Sequence, residues 1–561
     1  MNGEPLGREH QLLAASVTKT VNRIAAARLI YLDGAAARGD FPLSDSDLLV
    51  PGAEVEILAG PAGDQTRLFI GILVRHAIKI RGHAAPQLIV DCRHRAVRLT
   101  AGPRNGYYLD QSDGDIIASI LDAAGLDNEV EATTVTHKQQ VQFNCTDWDY
   151  LLSRAEANGR MVLTNDLPVV VKTLDPAGAP ICELRFGATI LEMDGELDAR
   201  TQYAAVKGQT WDPTRQELIE KDGADPGATS PGNLDSDTLA GALSLDHYHL
   251  QHPALSEEEA QAWADAQWLK SKLSRVGGRM KCEGIATVNP GDVVTLAGVG
   301  ERFNGNALIS GVRHDLDAAQ GWKTHIQFGN LDRWLAREQP VSAPRAGALL
   351  PAVSGLQIGV VLSNEDPDGE HRVRVRMPLV HGGEDGAWAR VASLDAGDGR
   401  GFFFRPEIGD EVVLGFLNDD PRQAVILGML HSSAHPAPLE GSDDNHEKLY
   451  QSRAGLRLFF DDDKKIIRIE TPAGKKITLD EDEGKLSIED ENSNLITMTG
   501  DGITIEAAQA LTLKAGTELS LEAGTGFGMK GGTEVKVEGG AGVEITSSGI
   551  TRVRGSMVQI N

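Results

Sequence analysis

From Ile503 onward, apolar residues return every eight positions: ITIEAAQA, LTLKAGTE, LSLEAGTG, FGMKGGTE, VKVEGGAG, VEITSSGI, TRVRGSMV. Ile503, Leu511, Leu519, Phe527, Val535 and Val543 head the units, with Thr551 the exception. Ile505, Leu513, Leu521, Met529, Val537, Ile545 and Val553 follow two places later. On a helix, at about 100° per residue, an octad step turns each unit by roughly 80° and scatters these side chains around the axis. In extended chain, i and i+2 share one face, and an even repeat keeps that face from unit to unit. Each octad is therefore predicted to be a very short strand followed by a turn, with Gly516, Gly524, Gly532 and Gly540 easing the turn.

Strands this short need neighbours on both sides to bond their backbones and cover their apolar stripe. Several chains wound together would supply them. A single-chain β-solenoid is the other solution, although its coils usually need longer repeats to close a full circle. The octads favour the intertwined oligomer, with the two apolar positions as its core. The next position alternates in sign, through Glu506, Lys514, Glu522, Lys530 and Glu538, before Thr546 and Arg554. Opposite charges on adjacent strands stabilise by about 0.2–1 kcal/mol. This ladder is either a register device or a solvated mixed-charge face.

Upstream the pattern changes period. Residues 1 to about 110 alternate as strands, including Leu68–Val74. Ser112 with Asp115 reads as a capping box opening a helix, with Ile116, Ile117, Ile120, Leu121 and Ala124 as its stripe and Gly125 as its stop. Thr146 with Asp149 repeats the signal, with Tyr150, Leu151, Leu152 and Ala155 inward and Gly159 as the stop. Ser256 with Glu259 opens a third helix running to about Leu273. Residues 212–244, rich in Asp, Gly, Pro, Thr and Ser, read as a loop. Hairpin starts at Pro51-Gly52 and Pro290-Gly291 hint at two related barrels. The chain divides into 1–338, a linker at 339–355, a compact all-β block at 356–435, a connector at 436–455 and the octad-bearing segment 456–561. The fold class is mainly β with a few helices.

Charge and composition narrow the partners. A net charge of −27 disfavours a nucleic-acid backbone. Aromatic content of 5% gives little for base stacking unless it clusters. The one aromatic cluster of the all-β block, Phe402-Phe403-Phe404, reads as barrel core or an interface between chains. No run of apolar residues is long enough to span a bilayer, and the start, MNGEPLGREHQLLAAS, lacks a secretory signal. Cys92, Cys145, Cys182 and Cys282 lie far apart and read as isolated buried thiols.

Candidate chemistry is sparse. His247, His249 and His252 beside Asp246 are zinc-type ligands in no closed-site spacing, and read as surface-loop histidines. Asp461-Asp462-Asp463 and Asp480-Glu481-Asp482-Glu483 lack the EF-hand's glycine and spacing, and read as hairpin turns rather than calcium sites. No GxSxG, HExxH or P-loop occurs. No catalytic residue, cofactor or metal is assigned.

The block 358–430 carries Gly359-Val360-Val361, Arg374-Val375-Arg376-Met377-Pro378, Trp388-Ala389-Arg390, Pro406-Glu407-Ile408-Gly409-Asp410-Glu411-Val412, Asp420-Pro421 and Ile426-Leu427-Gly428. This string resembles the OB-fold domain of contractile-tail spikes, the central spike of tailed phages and the valine–glycine repeat (VgrG) spikes of type VI secretion. Pro406, Gly409, Asp410, Glu411, Asp420, Pro421 and Gly428 are its motif residues. The Pro-Gly hairpins, Leu68-Phe69-x-Gly71 and Thr146–Arg154 with Gly159 resemble the family's hub, and the octads resemble its needle.

The resemblance implies a homotrimer. It implies a hub of two barrels per chain that joins a hexameric tail tube and baseplate proteins to an intertwined β-helix needle, and a needle that pierces a target envelope in transient contact with its membrane. It implies assembly in the bacterial cytoplasm into a phage-like or secreted particle. No lysozyme-like or toxin domain is seen, and no histidine follows His446 to build a metal tip. A separate PAAR-repeat tip protein is therefore expected at Gln559, Ile560 and Asn561. The competing functions are a trimeric tailspike enzyme that degrades surface polysaccharide, which would need a grooved solenoid with paired carboxylates, and a trimeric adhesin, which would need a signal and an anchor.

Overall fold

The computed structural model describes residues 1–561 apart from 8, 62, 228–230, 254, 340, 342–343, 381, 384 and 561. It divides into two compact units, one holding Met1–Gln357 with Ala387–Arg390 and Leu414–Val425, the other the remainder to the C-terminal end.

The first unit is built on one 11-stranded sheet that contains the same motif twice. Its first half comprises β1 (Leu12–Thr20), β2 (Arg23–Leu32), β3 (Glu54–Ala59), β4 (Thr66–Arg81) and β5 (Ala84–Arg93), in spatial order β1-β2-β5-β4-β3. The second comprises β6 (Ile190–Leu197), β7 (Val276–Glu283), β8 (Val293–Ala297), β9 (Gly305–Asp317) and β10 (Gly321–Phe328), with Glu183–Arg185 as an eleventh strand parallel to β8. Their order is β6-β7-β10-β9, with β8 on β9, so both halves follow one topology. Each has its own core. Val17, Leu29, Leu68, Phe69, Leu73, Leu88 and Val90 fill the first. Met280, Val294, Leu296, Ile309, Ile326 and Phe328 fill the second. The halves join where β1 pairs antiparallel with β9, Val17 opposite His314.

The related hairpins expected at Pro51 and Pro290 are thus present as β3 and β8. Gly52 and Gly291 hold φ of +96° and +93°, left-handed values that glycine adopts without steric cost. Strand β4 runs well beyond the predicted 68–74, to Arg81.

Between the halves sit two helices. Ser112 caps α1 (Asp113–Ala123) with a complete box. Thr146 caps α2 (Asp147–Ala157) with half of one: its hydroxyl accepts from the Asp149 amide and donates to the Asp149 carboxylate. Their apolar faces meet over Ile116, Ile117, Leu121, Leu151 and Leu152.

Where β1 and β2 are joined by a tight turn, β6 and β7 are separated by residues 198–275. The loop reading of 212–244 is corrected in part: Glu217–Asp222 is a strand, and α3 (Ser236–Leu243) is a helix capped by Asp235. The strand bonds antiparallel to Ala205–Asp212, and this long-range pairing overrides a turn-rich local composition. The His247–His252 segment is likewise a strand, parallel to Ala205–Thr210, not a surface loop. Helix α4 (Glu257–Leu273) begins at its predicted capping box.

Beyond Leu356, five strands close into a barrel in the order Gln357–Ser363, Val373–Arg376, Ala387–Val391, Ala424–Met429, Glu411–Phe416. Seven further strands from Glu447 to Glu506 form an antiparallel meander. The first of them, Glu447–Gln451, lies inside the expected 436–455 connector.

Candidate functional site: the apolar stripe and the octad rod

The meander is two-faced. Tyr450, Leu458, Ile469, Ile477, Ile488, Ile496 and Ile505 stand opposite one another in one cross-strand column. Phe460, Ile467, Leu479, Leu486, Met498 and Ile503 form a second column beside it. Period-two alternation puts both columns on one face and a polar set on the other. There Arg457 pairs with Glu470 at 3.2 Å and Lys476 with Glu489 at 3.1 Å. The first column, from Ile469 to Ile505, lines a groove of about 570 Å³ that reaches Leu511.

Ile503 and Ile505 end the columns and begin the octads, so the stripe passes unbroken from meander to repeat. The octad backbone then bends at every eighth residue, at Ala508, Gly516, Gly524, Gly532, Gly540, Ser548 and Ser556. None of Gly516, Gly524, Gly532 and Gly540 takes a positive φ. The bends fall at the glycines expected to ease the turns, without left-handed backbone there. A Cβ at any of the four would meet nothing within 4 Å in its own chain. The crowded glycines are Gly531 and Gly539, where a Cβ would lie 2.2 Å from the Glu534 and Gly542 carbonyl oxygens.

From Ala507 to Val558 the described residues make no backbone–backbone hydrogen bond within the chain. The apolar positions stay open: Ile503 is 67% exposed, Leu521 61% and Ile545 78%, and Leu511, Leu513, Leu519, Phe527, Met529, Val535, Val537, Val543 and Val553 are exposed too. The charges Glu506, Lys514, Glu522, Lys530 and Glu538 are not brought together; Glu538 instead pairs with Lys536 at 2.7 Å. Ile560 is exposed, Gln559 lies beside it, and Asn561 falls outside the described residues.

The barrel motif residues make local bonds. Asn364 donates to the Pro406 carbonyl at 2.8 Å. The Gly409 amide donates to Val361, the Val361 amide to Asp410, and the Glu407 amide to the Asp410 carboxylate. Gly409 needs its φ of +91° for this turn. Glu411 opens a barrel strand and its carbonyl accepts from Leu430. The Asp420 carboxylate, ahead of Pro421, takes Arg422, whose hydrogen bonds hold it below the usual carboxylate range. Gly428 lies in the Ala424–Met429 strand. Phe402, Phe403 and Phe404 are exposed, which corrects their reading as barrel core; Phe404 packs edge-on against Tyr450.

Elsewhere the titratable clusters are saturated by structural partners. Asp113 accepts from both arms of Arg154, from Asn158 and from the His137 ring at 2.6–2.9 Å. Burial pushes its carboxyl up, and the Arg154 and other hydrogen bonds outweigh burial to leave it lowered. His137 reaches Glu259 at 3.1 Å, tying α1 and α2 to α4. Lys270, fully buried, donates to Glu156 at 2.8 Å and to the Arg333 carbonyl, and lies 4.4 Å from the Trp334 ring centre. Cys92 and Cys282 are buried as expected, with burial pushing both thiols up to about 12, whereas Cys145 and Cys182 are half-buried. Asp461 and Asp480 turn their carboxylates onto backbone amides of the hairpin turns. Among the described residues no group of three or more His, Cys, Asp or Glu side chains is placed to hold a metal.

Sequence reasoning missed one feature of the first unit. Glu192, Asp194 and Glu196 on the outer strand β6, with Asp198 just past its end, recur at every second residue, and on the far half of β4 Arg75, Lys79 and Arg81 share that alternation, interrupted by Ala77. The alternation was visible as a one-sign face, but its meaning required knowing that both strands are edges.

Residues 1–318 match the family model described as the Alg8 N-terminal domain. Residues 357–431 match the type VI secretion system/phage-baseplate injector OB domain. The type VI secretion system spike protein VgrG4b of Pseudomonas aeruginosa is 32% identical over 144 residues, which covers 23% of this chain and 17% of that protein. The actin cross-linking toxin VgrG1 of Vibrio cholerae is 34% identical over 113 residues, covering 19% and 10%. The chain therefore spans less than a fifth of the length of either relative. A prophage MuSo2 43 kDa tail protein of Shewanella oneidensis superposes with a TM-score of 0.42 at 12% identity, over 57% of this chain and 94% of that one. With more than half its length inside the first of these models and its barrel inside the second, the chain belongs to the Alg8 N-terminal domain family and is a VgrG-like, phage-tail-like spike protein.

Proposed function

We propose that three copies of this chain wind residues 456–561 into one intertwined β-rod, and that the rod is the piercing needle of a contractile injection particle. One observation carries the reading. The octads expose their apolar residues and, from Ala507 to Val558, the described residues leave their backbones without a backbone partner within the chain, although backbone groups in folded proteins are almost always paired. Neighbouring copies would supply those bonds and enclose Ile503, Ile505, Leu511, Leu513, Leu519, Leu521, Phe527, Met529, Val535, Val537, Val543, Ile545 and Val553. Glu506, Lys514, Glu522, Lys530 and Glu538 would set register between adjacent strands. The open space at Gly516, Gly524, Gly532 and Gly540 would admit a neighbouring backbone where a side chain would block it.

Residues 1–338 would form the hub that meets the tail tube and baseplate proteins, and the 356–435 barrel would lead into the needle. Gln559, Ile560 and Asn561 would receive a PAAR-repeat tip protein. The role is structural rather than enzymatic, in a phage-like or secreted particle assembled in the cytoplasm. Among the described residues no helix is long and apolar enough to cross a membrane, so contact with the target membrane would be by penetration of the rod. The mass of the full chain in solution tests the reading. Three copies per particle are expected; a monomer with the octads folded overturns it.

A further inference from the structure

The two halves of the first unit align residue by residue. Leu73 and Ile309 both accept from the glycine of their Pro-Gly turn, Gly52 and Gly291, and both donate to the residue after it, Ala53 and Asp292. Each strand then carries a bulge at its next residue, Val74 in β4 and Ser310 in β9. Residue i of β4 therefore corresponds to i+236 of β9. Following the pairings through β5, β10, β2 and β7 sets Val17 of β1 against Gly195 of β6.

Within one chain, β1 occupies the far half of β9, pairing Thr20 with Gly311 through to Ala14 with Asp317. Among the described residues, the corresponding half of β4, Arg75–Arg81, has a strand neighbour on its β5 side only, and β6, the counterpart of β1, ends the sheet. One seam is filled and its equivalent is left as two open edges. Open edges of this kind template pairing with another chain.

We propose that β6 of one copy pairs antiparallel with Arg75–Arg81 of a second copy, in the register that β1 and β9 use. That register sets Asp198 opposite Arg75, Asp194 opposite Lys79 and Glu192 opposite Arg81. Each pair directly opposes an acid and a base, the cross-strand arrangement that stabilises sheets. A slip of one residue would turn each charged row to the other face. The seam within the chain has no such code: Thr20, Thr18, Ser16 and Ala14 face Gly311, Arg313, Asp315 and Asp317. The acidic row is accessible, with Asp194 80% exposed beside Arg279, and Lys79 has no ion-pair partner among the described residues. Ile78 and Ile80, 51% and 59% exposed, correspond to His314 and Leu316, whose edge β1 pairs. On β6 of the first copy, Gly195 and Met193 would face them.

The contact is head-to-tail, because β6 and β4 are different surfaces, so it generates a ring or a filament. That it closes after three copies rests on the rod proposed above. The test is disulfide trapping in the full chain carrying Asp194→Cys and Lys79→Cys, with Asp194→Cys and Ala77→Cys as the out-of-register control, read on a non-reducing gel beside the mass in solution. A covalent ladder ending at three chains, lost in the control, is expected. Charge reversal at Arg81 should weaken this trapping in mixtures, and reversal of Glu192 on the partner should restore it. A three-copy particle without in-register trapping overturns the seam and leaves the rod standing. In-register trapping in a particle of another copy number supports the seam and overturns the rod's count. A monomer overturns both.

Discussion

Gly52 and Gly291 make the same hydrogen bond in the two halves of the first unit, each donating its amide across the hairpin at 2.8 Å, to Leu73 and to Ile309. Both need a left-handed backbone, but their surroundings differ. A Cβ on Gly52 would meet nothing, whereas one on Gly291 would lie 3.1 Å from Leu163 Cδ1. Gly52→Ala is expected to lower stability by about 1–2 kcal/mol, the cost of the left-handed conformation with a side chain, and Gly291→Ala by more. Chemical denaturation of the two variants checks the order.

The motif repeat was legible from two Pro-Gly starts, because that turn needs glycine at a fixed place. Its larger consequence was not. That β6 is the counterpart of β1, and that its acids face outward along an edge, depends on pairing with β7 across residues 198–275. The helices were legible for the opposite reason: Ser112 and Ser256 act on residues three positions away. The strand at His247–His252 was missed because its partner lies about forty residues upstream. The apolar columns of the meander are the octad pattern begun earlier at irregular intervals, and irregular spacing hid their continuity with Ile503.

His314 couples the seam between the halves to pH. It lies opposite Val17, accepts or donates with Thr324 at 3.0 Å and sits near the buried Lys19, with Asp315 beside it in sequence. Burial, reinforced by Lys19, pushes it down to about 4 from 6.5. The folded form therefore binds fewer protons than the unfolded form between those values. The stability it contributes is present above pH 6.5 and is lost as pH falls towards 4, by up to about 3 kcal/mol. His314→Ile, which installs the residue type of its counterpart Ile78, should flatten that part of the denaturation profile. An unchanged pH slope would show that His314 is not its source.

Lys270 and Glu156 form the most deeply buried ion pair of the first unit, their side chains 1% and 4% exposed. Burial pushes the Lys270 ammonium down, against the pull of Glu156. Lys270→Met leaves Glu156 with the Leu335 amide and Asn22 but without its cation. Removal of one partner of such a pair costs about 3–5 kcal/mol. The double variant with Glu156→Gln should recover part of that loss, which a double-mutant cycle in urea measures.

The alternating octad charges give a graded prediction. With Lys514 and Lys530 both reversed to Glu, all five positions of the row, 506, 514, 522, 530 and 538, become acidic. If adjacent strands bring these rows together, each lost pair weakens the rod by about 0.2–1 kcal/mol, and more where like charges face. Thermal melting of the assembled particle should fall, and added salt should narrow the difference. Equal melting temperatures at low salt would leave the row as a solvated face.

Leu521 and Ser520 separate the proposed rod from a chain whose octads stand alone. They are neighbours in sequence, so extended backbone turns them to opposite faces. In the single chain Leu521 is already 61% exposed, and Leu521→Asp should leave the folding of the first unit unchanged. In an enclosed stripe it would place carboxylates where each ion costs several kcal/mol to desolvate. The expected outcome is loss of the three-copy mass for Leu521→Asp and retention of it for Ser520→Asp. Equal behaviour of the two variants would mean that the octads have no inner face, and the rod would have to be abandoned whatever the copy number.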